Sequence, residues 1–199
     1  FRYIATNFTI MVWVKPEKAI GGDETSGQSY ALYPTTDVQP LGEPPSDHIG
    51  VGVSVGTNRI KVVERTGDTL TTSLDFTGTI PSSEWTHVAV AYSNSVPRLF
   101  INGVLQATGS ASARIPHPGC WGGGSYGWYQ GAMDDYRVYR RALSANEIIA
   151  LGTAISKTWT GDGGANLWDI NTSTNWVKTG DPLTPSIFNN NDAVVFDDL

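Results

Sequence analysis

The 199 residues carry a formal net charge of -6, with 16% charged and 40% hydrophobic side chains, which is enough apolar material for a core and too little clustered basic charge to hold a phosphate backbone, so nucleic acid is excluded as an expected partner. With 22 Gly, 11 Pro, 7 Trp and 8 Tyr, the composition favours short strands joined by tight turns, with aromatics left over for a surface. The lone Cys120 cannot close an internal disulfide, and no run approaches the roughly 18 apolar residues of a membrane helix, so no membrane insertion is expected.

Phe8 to Val14 is a β-branched and aromatic run stopped at Lys15-Pro16, where the missing amide donor ends ladder pairing; it reads as a buried strand. Residues 17–48 hold Gly-Gly, Pro-Pro and scattered acids around one short strand, Ser29 to Tyr33. Ile49 to Gly56 alternates with period two: Ile49, Val51, Val53 and Val55 share one face, and the other carries only Gly or Ser. Thr57-Asn58 turns into a strand over Arg59 to Arg65, and Gly67-Asp68 into another over Thr69 to Phe76. Trp85 to Tyr92 is followed by Arg98 to Gln106, where Asn102-Gly103 supplies the positive φ angles of a type I′ hairpin turn. Tyr136 to Tyr139 is a further strand. Ser144 and Glu147 have the spacing of a capping box, so a short helix is expected to follow and to end near Gly152. From Thr158 onward, isolated tryptophans and polar turns replace the alternating strands, which puts a domain boundary near residue 153: a sandwich over 1–152 and a Trp-rich tail over 153–199.

Four of these segments, in order, resemble the laminin-G-like, or concanavalin-A-like, jelly-roll domains of bacterial surface proteins and carbohydrate-active enzymes: Phe8 to Pro16, Glu84 to Tyr92, Arg98 to Val104, and Gly131 to Ile148. The resemblance implies an all-β, antiparallel jelly-roll sandwich. The tail, with Trp159-Thr-Gly, Leu167-Trp-Asp, Thr174-Asn-Trp176 and Asn191 to Asp197, resembles the start of an autotransporter-associated β-repeat, which implies export to the bacterial cell surface or secretion. At the front only Phe1 to Asn7 precede the opening core strand, fewer residues than the family has there; Ala193 to Phe196 is a candidate to pair with the edge so exposed.

Relatives that hydrolyse β-glucans use two carboxylates alternating on one strand, and each glutamate here is solitary; Glu64 has Val62 beside it rather than a second acid. His87 reads as a structural core histidine, and Trp13 and Trp85 as core. If Tyr136 and Val138 face inward, period two puts Asp134 on their side, where it needs a partner. Ca²⁺, which related domains bind at the corresponding aspartate, is one; a turn, Arg137 or Arg140 are the others. The stretch His117 to Gln130 packs aromatics among glycines, and Trp121, Tyr126 and Trp128 are the candidate carbohydrate-binding residues, because flat rings stack on sugar C–H faces and glycine lets a ligand approach the backbone. In the alternative, Tyr129 packs inward and Trp121 closes the sandwich end. The expected function is a non-catalytic carbohydrate-binding or adhesion module with a polysaccharide or glycan partner; the alternatives are a glycoside hydrolase of the same fold and a structural spacer.

Overall fold

The computed structural model describes residues 2–36, 38–121 and 123–152, and beyond them the backbone of four short strands. The backbone divides into two compact units, Phe1–Ile148 and Ile149–Leu199. In chain order the strands of the first are β1 (Phe8–Pro16), β2 (Tyr30–Tyr33), β3 (His48–Gly56), β4 (Arg59–Thr66), β5 (Thr69–Thr77), β6 (Thr86–Ser93), β7 (Val96–Ile101), β8 (Val104–Thr108), β9 (Ile115–Pro118), β10 (Cys120–Trp121) and β11 (Gly131–Tyr139). A helix, α1 (Ala145–Gly152), follows. It starts where the spacing predicts: the Ser144 N–H and hydroxyl both donate to Glu147 Oε2 at 2.8 Å, and the Glu147 N–H donates back to Ser144 Oγ at 3.3 Å.

Two sheets face one another, as the resemblance implies. One has five strands in the order β11-β1-β6-β7-β8, and the other six, β10-β2-β3-β4-β5 with β9 added in parallel beside β3. Period two assigns the inner faces: Phe8, Ile10, Val12 and Val14 of β1 meet Val51, Val53 and Val55 of β3 and Ile60 and Val62 of β4 in one core cluster. Each such side chain, removed from water, contributes roughly 1.5–3 kcal/mol to the fold. Ile101 pairs with Val104 across a two-residue turn in which Asn102 and Gly103 have φ of 49° and 79°, the type I′ geometry expected of Asn-Gly.

The structure corrects two placements of tryptophan. Trp13 pairs with His87 on the outer side of its sheet and packs ring against ring at 5.1 Å. Trp85 precedes β6 and is 46% exposed. Met11 and Val12, on opposite faces of β1, are both buried, so composition did not separate inside from outside for Trp13.

The glycine face of β3 is covered by the chain itself. A Cβ on Gly50 would collide with the Thr35 carbonyl and one on Gly52 with Pro34, while one on Gly56 would stand 2.7 Å from the Ile20 N. Segments 17–29 and 34–35 therefore lie directly on the sheet's backbone, and all nine residues of β3 are buried. Beside them His48 Nδ1 and His117 Nε2 meet at 2.7 Å and His48 Nε2 is 2.8 Å from Glu43 Oε2, which ties β9 to β3.

In the second unit, β12 (Ser156–Trp159), β13 (Trp176–Lys178), β14 (Asp181–Ser186) and β15 (Ala193–Val195) form a separate sheet in the order β14-β13-β12-β15. Ala193–Val195 pairs in parallel with β12 within this sheet. The Leu167-Trp-Asp motif and Asn191 to Asp192 lie outside the described residues.

Candidate functional site

Between β10 and β11 the Gly-rich loop folds into a miniature hairpin. Gly124 and Gly127 exchange backbone hydrogen bonds at 3.3 and 3.0 Å, leaving Ser125 and Tyr126 at the tip. The glycines serve the chain's own packing rather than ligand approach: Gly124 lies against the Tyr33 ring, and Gly127, at φ +139°, over the Gln28 carbonyl. The loop is fastened further along by the Gln130 N–H donating to Ser29 Oγ at 2.8 Å and by the Glu17 N–H donating to the Gln130 carbonyl at 3.0 Å.

The three predicted aromatic residues have different neighbours. Tyr126 is half-buried and stacks on Tyr33 with centroids 6.3 Å apart and planes 17° from parallel. The Arg65 guanidinium lies 4.9 Å from the Tyr126 centroid and 5.7 Å from that of Tyr33, and Arg65 Nη1 donates to the Tyr33 hydroxyl at 3.2 Å. Trp121 is 54% exposed and rests edge-on against Tyr136 at 6.0 Å. Trp128 is 64% exposed. The next residue, Tyr129, packs against the core cluster, and burial pushes its hydroxyl above the ordinary tyrosine range. Alternation thus turns Trp128 outward. Sequence reasoning missed Arg65 and Tyr33, which arrive from β4 and β2 and become neighbours of the loop only in the fold.

Asp134 does not face inward. A bulge between Met11 and Trp13 of β1 and the facing stretch of β11 inserts one residue, Asp135, with φ 51°. Parity is reset there, so Tyr136 packs toward the core while Asp134 is exposed opposite Trp13. Asp134 Oδ1 accepts the Asp135 N–H at 2.7 Å, and the Asp135 carboxylate is engaged by Arg137 Nε and Nη2. Calcium takes six to eight oxygens, roughly. Among the described residues no group of three or more acidic, histidine or cysteine side chains is assembled to hold a metal ion.

Glu64, weighed in the sequence only as half of a catalytic pair, has a different place in the fold. Ile60, Val62 and Glu64 share the inner face of β4, and Glu64 accepts the Tyr92 hydroxyl at 3.0 Å. Burial raises its pKa above the usual carboxylate range, against hydrogen bonds from Ser112, Tyr92 and Ser73 that pull it down. The visible signal was a carboxylate in the inward register of an apolar strand.

A family model described as the concanavalin A-like lectin/glucanases superfamily matches residues 3–149. No curated protein matches the chain. Among solved structures, the heptameric SAP-like pentraxin of Limulus polyphemus is similar at a TM-score of 0.51 with 12% identity, over 75% of this chain and 71% of that one. The CBM40 of the Ruminococcus gnavus IT-sialidase, bound to α2,3-sialyllactose, is similar at 0.50 with 21% identity, over 74% and 83%. Domain 4 of AbnA, an extracellular GH43 arabinanase of Geobacillus stearothermophilus solved with arabinotriose, gives 0.48 with 18% identity, over 75% and 68%. With two opposed sheets and a family match that runs from before β1 into α1, the chain belongs to the concanavalin A-like lectin/glucanase superfamily.

Proposed function

We propose that the sandwich is a non-catalytic carbohydrate-binding module of a secreted or cell-surface bacterial protein, and that it holds glycan on the aromatic loop between β10 and β11. The observation that carries this reading is Trp128, whose indole is 64% exposed on a loop that glycine packing and the hydrogen bonds of Gln130 hold in place. An apolar ring kept in water on a fixed support is suited to stack on the C–H face of a sugar. Tyr126 and Trp121 extend the same loop's aromatic surface, and Arg65 behind Tyr126 offers donors to sugar hydroxyls. The CBM40 of similar fold was solved with an oligosaccharide, which is in keeping with this use of the fold. The β-repeat-like tail motifs support presentation outside the cell, and among the described residues no helix is long and apolar enough to cross a membrane.

Stacking supplies about 1 kcal/mol per ring, so single sites are weak and adhesion relies on several contacts or copies. The test is a glycan array followed by calorimetry on Trp128→Ala, Tyr126→Ala and Trp121→Ala, each checked for an unchanged melting temperature. Trp128→Ala is expected to lower affinity about fivefold, the equivalent of about 1 kcal/mol. Three folded variants that bind as the parent does would sink the proposal.

A further inference from the structure

Away from the aromatic loop, a cavity of about 220 Å³ opens between β4, β5 and the segment 109–114; its lining includes Glu64, Thr66, Thr71, Ser73, Ser112 and Arg114. That volume is room for about seven waters, or one sugar ring. Seven of the lining residues are serine or threonine. Ser73 Oγ lies 3.3 Å from the Tyr92 hydroxyl, which donates to Glu64 Oε1, and Arg114 Nη1 donates to Thr66 Oγ1 at 3.0 Å. Glu64 is the one carboxylate among the described lining residues. The strip Ser112, Ala113 and Arg114 also borders a wider depression of about 640 Å³ that reaches Ser46 and Asp47, so a chain leaving the cavity has a path across the surface.

A carboxyl at this position has a cost. Ile60 and Val62 set an apolar register that a valine would continue, whereas a buried carboxyl is held in its less soluble environment against desolvation. Within the chain the carboxylate is met by the Tyr92 hydroxyl, Ser73 and Ser112, and its roughly four acceptor sites leave room for a ligand hydroxyl beside them. Groups of this kind, in a concave site and away from the solvent, mark functional positions.

We propose that this cavity is a second ligand site, separate from the aromatic loop, that takes the terminal residue of a neutral glycan end-on, with Glu64 as its hydrogen-bonding anchor and the remainder of the glycan lying over Ser112 to Arg114. The two sites read different features: the loop stacks on the faces of sugars along a chain, and the cavity accepts a chain end. With Glu64 and Arg114 both in the lining, the site's charges offset one another, which suits a neutral ligand.

Thr71 gives a means of blocking the cavity without disturbing the core. It stands directly across from Glu64 in the β4–β5 ladder and is exposed, so Thr71→Phe fills the mouth with a residue that strands favour. Methyl glycosides of neutral hexoses and pentoses, and a uronic acid as the charged counterpart, would be titrated into the full chain and followed through the amide resonances of Ser73, Ser110 and Ser112. Saturable shifts with a neutral glycoside are expected in the parent and in Trp128→Ala. They should weaken about tenfold or more in Thr71→Phe, and equally in Glu64→Val, whose retained fold is checked separately because it removes the carboxylate acceptor of the Tyr92 hydroxyl. No saturable shift with any neutral glycoside, a preference for the uronic acid, or equal binding by folded Thr71→Phe would each overturn the proposal. Because Trp128→Ala leaves this cavity intact, failure here and failure of the loop are read separately.

Discussion

His87 makes the sandwich sensitive to mild acid, and replacing it by phenylalanine should remove that sensitivity. The imidazole is 3% exposed, packs against Trp13, and has its Nδ1 buried without a hydrogen-bond partner. Burial lowers its pKa from 6.5 to about 4; the Arg137 charge adds to this and Asp135 partly opposes it. In the unfolded chain the same ring takes its proton near 6.5. Between those values the unfolded state binds more protons than the folded one, so stability is full above pH 6.5 and is lost as pH falls toward 4. The whole gap is worth about 3 kcal/mol, of which about 2 kcal/mol is gone by pH 5. For a domain of this size that is a fall of about 6 °C in melting temperature. His87→Phe keeps a flat ring against Trp13, discards the orphaned nitrogen and carries no charge. Thermal and urea melts of both proteins at half-unit steps from pH 7.5 to 5 would measure the difference; this window lies above the range in which Asp23 and Glu147, both held down at about 2 by hydrogen bonds or Arg141, begin to protonate. A variant with the same slope as the parent would refute the assignment.

Glu64 acts in the opposite sense: its folded pKa is raised, so the parent loses stability as pH climbs from 4.5 through the raised value. Glu64→Gln retains an acceptor for Tyr92, should lack this dependence and should have the higher urea midpoint at pH 8 with an unchanged m-value. On the glycine face, Gly52→Val drives its side chain into Pro34 and should cost about 3 kcal/mol or more by denaturant titration; a neutral result would mean that the segment after β2 lifts off freely.

The strands were legible because their signals are local. Ile49 to Gly56 alternates over its whole length, and Asn102-Gly103 carries its turn geometry in two residues. The faces were harder. Phe8 to Val14 is apolar on both sides because Met11 is covered outside as well as Val12 inside, so nothing in the string separated Trp13 from the core. The one-residue bulge at Asp135 moved Asp134 to the other face, and an extra residue in a ladder leaves no mark on composition. At the site, Trp128 was visible as an aromatic among glycines. Arg65 and Tyr33 were not, since they approach Tyr126 from strands distant in sequence. Glu64 stood in plain view in an inward register, but its partners come from β5, β6 and the segment after β8.

The glycine comb of β3 also determines how the domain opens. With β4 along one edge, β2 and β9 sharing the other, and the chain's own segments resting on its bare side, none of the paired β3 amides reaches solvent by local fraying. Their exchange with deuterium requires the rest of the sandwich to come apart first. Because His48 to Val51 pairs with Ile115 to Pro118, this most protected strand is completed only after distant parts of the chain have met, and its last contacts place it among the slow, topology-limited steps of assembly.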